Sequence, residues 1–239
     1  MSLREERQRR ILTTHVGSLP RPASLSAKLL ARMSGQSHDA KALTDELHQA
    51  VAAIVRTQAE LGIDVVSDGE LSKTSFQYYV TDRLGGLERF TPKPGVRTTR
   101  ENQAFPTFYK DGSHSGTQPT RYACTGPLKS IGQKQLEADI ANLKAGLQGG
   151  SRVEAFMPSV SPSSCVGLMA NSHYRAEEEH LFAVAEAWLE EYQAIVAAGF
   201  LVQIDDPRLA MNYMLNTGTT VDQHPPRAVK HHQARNTPI

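Results

Sequence analysis

The chain has 239 residues, which at about 150 residues per domain suits one large domain, since barrels of this size form a single unit. With 39% hydrophobic and 21% charged residues it is far from the regime in which no core forms, and this excludes a disordered or fibrous chain. Lys plus Arg number 26 against 25 Asp plus Glu; the formal charge of +1 supplies no net field toward phosphate or an anionic membrane, so nucleic acid is not an expected partner.

Residues 1–10, MSLREERQRR, form a charged segment, and no later run approaches the roughly 18 apolar residues of a membrane span. The expectation is a soluble, cytoplasmic protein. A β-favouring run at 11–16 is the first candidate strand. Leu43, Leu47, Val51, Ile54, Val55 and Leu61 then fall near one face, and Gly62 offers a left-handed stop, which predicts a helix over 40–61. An apolar run at 63–66 follows as the second strand.

Segment 91–120 is rich in Pro, Gly, Thr and charge, lacks a helical period, and is expected to be a surface excursion, such as a hairpin or lid. The third strand is expected at 121–125. Leu136, Ile140, Leu143 and Leu147 predict a helix over 133–148 before Gly149 and Gly150, with a strand next at 153–157. The strongest helix runs from the acidic Glu177, Glu178 and Glu179 through Leu181, Val184, Trp188, Tyr192 and Ile195 to Gly199. A fifth strand follows at 200–204. Strands that follow helices so closely imply parallel strands joined by crossovers, hence an α/β domain over 11–223, either a (β/α)8 barrel or an open doubly wound sheet. The tail 224–239 has no acidic residue and no apolar period and abandons this alternation; it reads as anomalous and basic.

In such folds ligand chemistry sits beyond the carboxyl ends of the strands. The first strand leads into His15-Val16-Gly17-Ser18, where Gly17 permits close backbone approach and Ser18 offers a hydroxyl and an amide to a carboxylate, or a plain turn. The second ends in Ser67-Asp68-Gly69-Glu70. Glu70 suits an ammonium group, a metal or a base, Lys73 is near enough to neutralise one carboxylate, and one of the pair is a candidate helix cap. The third ends in Cys124-Thr125-Gly126-Pro127, with Cys124 read as a packing thiol. The fourth leads to the hydroxyl-rich 157–165, without a phosphate fingerprint. The fifth ends in Asp205-Asp206-Pro207, two carboxylates that call for a substrate ammonium, a metal or Arg208 beside them. The two cysteines, Cys124 and Cys165, have no Cys or His at metal-ligand spacing, and no His-x-Cys, His-Glu-x-x-His or Cys-x-x-Cys occurs, so no metal ligand set is assigned.

Four runs together carry a resemblance: Thr13-Thr14-His15-Val16-Gly17-Ser18-Leu19-Pro20-Arg21-Pro22, Gly62-Ile63-Asp64-Val65-Val66-Ser67-Asp68-Gly69-Glu70, Thr125-Gly126-Pro127 and Gln203-Ile204-Asp205-Asp206-Pro207. In order and spacing they resemble the catalytic barrel of cobalamin-independent methionine synthases and their single-barrel relatives. The resemblance implies a TIM barrel of the class shared with uroporphyrinogen decarboxylase, with five of its eight strands legible in this chain. It implies methyl transfer from a methyl-folate to a zinc-bound thiol such as homocysteine, zinc lowering the thiol pKa while leaving the sulfur nucleophilic. It also implies that Gly17 and Ser18, with His15 beside them, hold the amino-acid carboxylate, that Glu70 and Asp205 hold its ammonium group, and that Asp68 and Asp206 support them or act as acid and base.

The family's zinc ligands, a His-x-Cys pair, a Glu and a second Cys, lie on later strands and are not found here, so the expectation is a truncation or shifted reading frame after about residue 223 and a chain without independent catalysis. The stretch 67–73 and His15 look more like the short relatives, some of which alkylate other thiols such as coenzyme M. Two alternatives stand beside this reading: a metal-free lyase or decarboxylase using Asp68, Glu70 or Asp205, and a non-catalytic module completed by a partner chain. Open barrel edges would invite homo-oligomers.

Overall fold

The computed structural model describes residues 3–75, 79–90, 99–109, 121–148, 154–215, 217, 218 and 220. In chain order the elements are α1 (Leu3–Glu6), α2 (Ala23–Met33), α3 (Ala40–Glu60), β1 (Val65–Ser67), α4 (Val80–Arg83), β2 (Leu84–Phe90), α5 (Arg100–Ala104) and α6 (Pro106–Tyr109). There follow β3 (Arg121–Ser130), α7 (Gln133–Leu147), β4 (Glu154–Val160), α8 (Pro162–Val166), β5 (Met169–Asn171), α9 (Glu177–Ala197), β6 (Leu201–Asp205) and α10 (Pro207–Leu215). They belong to two compact units: Met1–Asp82, Gly132–Ser159 and Glu191–Ile204 make the first, and Arg83–Ile131, Val160–Glu190 and Asp205–Ile239 the second.

The first unit is built on the sheet order β1-β4-β6, with β1 and β4 parallel and Val66 opposite Ala155. Asp39 caps α3 by accepting from the Ala42 amide, and Gly62, at φ 79°, ends it. Leu43, Leu47, Val51 and Val55 of α3 join Leu25 and Leu29 of α2, Leu136 and Leu143 of α7, Val66, Ala155 and Met157 in one buried core. Gly146 lets α7 approach α3: a Cβ there would stand 3.2 Å from the Val55 side chain. Leu61, counted on the apolar face by its spacing, lies beyond the last turn and is 76% exposed. Gln58 of α3 turns inward instead. Its amide nitrogen donates to the Ser67 carbonyl at 2.8 Å and its oxygen accepts the Ser67 amide at 3.1 Å, completing the backbone pairing where β1 ends.

The second unit holds the sheet order β2-β3-β5. Here β2 and β3 are antiparallel and β3 and β5 parallel. The register of the hairpin slips between Gly85 and Leu87, where the single residue Gly86, at φ 87°, faces the longer stretch 125–128 of β3. A Cβ on Gly86 would come within 2.5 Å of the Pro127 carbonyl oxygen, so glycine is required twice over, by conformation and by space. Leu181 and Ala185 of α9 pack with Val166 of α8.

The expected helices at 40–61, 133–148 and 177–199 are present with ends shifted by no more than two residues, and Leu181, Val184, Trp188, Tyr192 and Ile195 are all buried. The strands differ more. Six strands in two sheets stand where five parallel ones of a TIM barrel were expected, and the described strands close no barrel. The run 11–16 contributes a single parallel bridge, Thr14 to Val65, because Thr13 spends its amide on the Asp64 side chain at 2.8 Å. The antiparallel β2 was not foreseen, since its sequence, LGGLERF, carries two glycines. Thr125-Gly126-Pro127 does not end a strand but lies within β3, which runs on to Ser130. In the expected excursion, residues 99–109 form α5 and α6; 91–98 and 110–120, like the tail 224–239, lie outside the described residues. No helix among the described residues is long and apolar enough to cross a membrane.

Candidate functional site

In the first unit, two segments distant in sequence meet. Residues 15–21 leave the Thr14 bridge as an extended loop, and residues 68–73 form a tight turn where β1 ends. They are knitted by the Leu19 amide donating to the Gly69 carbonyl at 3.0 Å, and Gly69, at φ 64°, lets the Leu19 side chain lie 3.1 Å from where a Cβ would stand. Across this seam the Ser18 hydroxyl donates to Glu70 Oε2 at 2.5 Å. Ser18 is exposed and Glu70 is 1% exposed, so the hydroxyl marks the solvent side of a buried carboxylate.

Glu70 has φ 56°, the left-handed region that a branched or extended side chain enters at a cost of about 1–3 kcal/mol. Its amide donates to Asp68 Oδ1 at 2.9 Å. Gly17, at φ 92°, faces open space, and the His15 Nε2 lies 3.0 Å from its carbonyl oxygen. Ser18 and Glu70 are therefore in contact, while His15 and Gly17 are hydrogen-bonded to each other next to them in the chain.

Asp68 is buried, and that burial pushes its carboxyl pKa up, helped by Asp139 and Glu70 and opposed by Lys73 and the Glu70 amide. Lys73 thus acts on Asp68 as its spacing suggested, though its Nζ donates to the Pro158 carbonyl and stands 4.5 Å from the centre of the Tyr79 ring. Neither Asp68 nor Glu70 caps a helix: Asp68 bends back on the turn instead. Because a raised native pKa favours the protonated form, Asp68 contributes stability below its unfolded value near 3.9, and that contribution is lost as pH rises through the native value. An Asp68→Asn variant keeps the oxygen that accepts from Glu70 and is expected to melt a few degrees higher than the parent at pH 7, with the gain vanishing below about pH 4. Thermal melts across that range check it; a lower melting temperature at pH 7 would mean that Lys73 outweighs burial.

A second polar group of this unit escaped the sequence reading. The Tyr79 hydroxyl and the Ser159 hydroxyl both donate to Glu191 Oε1, at 3.0 and 2.6 Å, and all three residues are buried. No spacing signal joins positions 79, 159 and 191; only the fold does. Arg21 was also missed as a site residue, although it lies within a quoted motif, held between Pro20 and Pro22.

Asp205 and Asp206 belong to the second unit. Asp206 Oδ1 accepts from the hydroxyls of Ser163 and Ser164, so the hydroxyl-rich loop starts helix α8 and supplies partners to this carboxylate. Ser161 caps that helix through the Ser164 amide, and its own amide donates to the Asp205 carbonyl at 2.8 Å. The Arg208 guanidinium lies against Gly167, where any Cβ would collide with it. Cys124 is fully buried, donates to the Gly126 carbonyl at 3.3 Å, and has its thiol pKa pushed up by burial, which is the character of a packing thiol. Among the described residues no three His, Cys, Asp or Glu side chains stand together as a metal could use them, so these residues do not fit the family's zinc.

A family profile described as "Cobalamin-independent synthase, Catalytic domain" matches residues 11–156. The methionine synthase of Sulfolobus acidocaldarius is 24% identical over 198 residues, covering 82% of this chain and 52% of that protein. The 2-hydroxypropyl-CoM lyase of Xanthobacter autotrophicus is 28% identical over 202 residues, covering 82% and 48%. The chain thus spans about half the length of these curated relatives. In fold it is similar to a B12-independent methionine synthase from Shewanella sp. W3-18-1 solved in complex with selenomethionine, with a TM-score of 0.65 at 19% identity over 95% of this chain and 58% of that one.

Proposed function

From the premise that the chain belongs to the cobalamin-independent synthase catalytic-domain family, we propose that its first unit binds the amino-acid end of a thiol substrate such as homocysteine. The observation that carries this reading is the contact of Ser18 with Glu70. A carboxylate offers about four lone-pair positions, and one hydroxyl uses one of them, so Glu70 retains acceptors for an ammonium group. The backbone amides of Gly17 and Ser18 suit the carboxylate of the same ligand, while the one proton of the Ser18 hydroxyl is engaged by Glu70. For Asp205 as a second ammonium acceptor, and for Asp206, the support is the family resemblance. The reaction proposed is methyl transfer from a methyl-folate to the thiol; binding and orienting the amino acid is the part assigned to this chain's described residues.

Calorimetric titration of the full chain tests the reading. L-Homocysteine is expected to bind more tightly than 4-sulfanylbutanoic acid, the same thiol acid without its amine. Glu70→Gln is expected to remove that preference, weakening homocysteine about tenfold or more, as for the loss of a charged hydrogen bond of about 1.5–3 kcal/mol. Equal binding of both thiols by the parent, or an unchanged preference in Glu70→Gln, would overturn it.

The similarity to a CoM lyase favours a second reading, in which the thiol is coenzyme M. That ligand carries a sulfonate and no ammonium. Glu70→Gln would then bind it at least as tightly as the parent does, because a repelling charge is gone.

A further inference from the structure

We propose that Arg21 is a positioning residue, whose guanidinium holds the left-handed turn that aims the Glu70 carboxylate at an ammonium group. Arg21 makes no hydrogen bond to a carboxylate in this turn; it binds carbonyls. Its Nη2 donates to the Glu70 carbonyl at 2.6 Å and to the Lys73 carbonyl at 2.6 Å, and its Nε donates to the Leu71 carbonyl at 3.0 Å. The Glu70 amide, on the other side of the same residue, is held by Asp68 Oδ1 at 2.9 Å. Both peptide groups flanking the Glu70 Cα are thus fixed, and they are fixed at φ 56°, a conformation glutamate does not choose by itself. A strained backbone persists only where its surroundings over-determine it, and here the strain and its restraints fall on the residue that meets Ser18.

Arginine is suited to this work because its planar fork presents several fixed donors, enough to reach three carbonyls of one turn, where a lysine offers a single point. Its own placement follows from sequence. Pro22 disfavours the helical region for the residue before it, so Arg21 stays extended until α2 begins, and Pro22 is the cap position of that helix. The side chain then lies over the 70–73 turn.

This inference rests on the reading of Glu70 as an ammonium acceptor, and the test separates the two. Arg21→Met, Arg21→Lys, Glu70→Gln and the double variant Arg21→Met/Glu70→Gln are titrated as full chains with L-homocysteine and 4-sulfanylbutanoic acid, with melting temperatures recorded alongside. Arg21→Met is expected to lose about tenfold of the preference for the amine-bearing ligand while binding the amine-free one as the parent does, and the double variant to be no weaker than Glu70→Gln alone. Arg21→Lys should retain part of the preference, and it carries the comparison if the methionine variant does not fold. A purely structural role would lower the melting temperature and weaken both ligands alike, or leave both unchanged; either result overturns the inference. So does a double variant whose losses simply add. If Glu70→Gln keeps the preference, it is the reading of Glu70 that fails.

Discussion

A Gly86→Val variant is expected to lose about 3–5 kcal/mol of folding stability, a large fraction of the roughly 5–15 kcal/mol that holds a typical domain. Two independent penalties meet at this position. The backbone is left-handed at φ 87°, where a β-branched residue is strongly disfavoured, and the Cβ would stand 2.5 Å from the Pro127 carbonyl oxygen. The obstructing atom is backbone and cannot rotate away, so the bulge must open and the β2–β3 pairing with it. Urea denaturation monitored by circular dichroism measures the loss. A change below 1 kcal/mol would show that the hairpin tolerates a different register here.

Glu191→Ala is expected to cost about 2–5 kcal/mol, because it withdraws an acceptor to which two buried hydroxyls donate, and each hydrogen bond lost from a charged acceptor costs about 1.5–3 kcal/mol. Tyr79 and Ser159 lie within 3.4 Å of one another, but one hydroxyl donating to the other cannot replace a carboxylate that accepts from both. Glu191→Gln keeps an acceptor oxygen and should lose less than half as much. The ordering matters more than either value. If the alanine variant is as stable as the parent, burial of the charge offsets what its hydrogen bonds contribute, as happens in some buried polar clusters.

The parts of the fold legible in the sequence are those in which a side-chain pattern and a local stop signal coincide. Helices α3, α7 and α9 repeat apolar residues at helical spacing, and α3 and α9 are followed by Gly62 and Gly199, which do adopt φ 79° and 89°. The burial of Leu181, Val184, Trp188, Tyr192 and Ile195 follows from that spacing alone. Leu61 defeats the pattern because it falls past the last turn, where the helical period no longer holds. The strands were less legible because a short apolar run does not reveal its partner. Residues 11–16 look like a strand and form one bridge, whereas LGGLERF does not look like one and pairs along its length.

At the site the same division holds. The order of residues placed Gly17, Ser18, Asp68 and Glu70 near the ends of β-favouring segments, which is a local property of the chain, and it carried the resemblance that the family match bears out. Sequence could not decide that Ser18 and Glu70 touch, that Glu70 is left-handed, that Arg21 grips three carbonyls around it, or that Tyr79, Ser159 and Glu191 share one buried oxygen. Each of these is a contact between residues 32 or more positions apart, or a conformation imposed by such contacts. Local propensity sets which segments become helix and where they stop; which carboxylate is buried, and what holds it, is set by partners that only chain folding brings within hydrogen-bond reach.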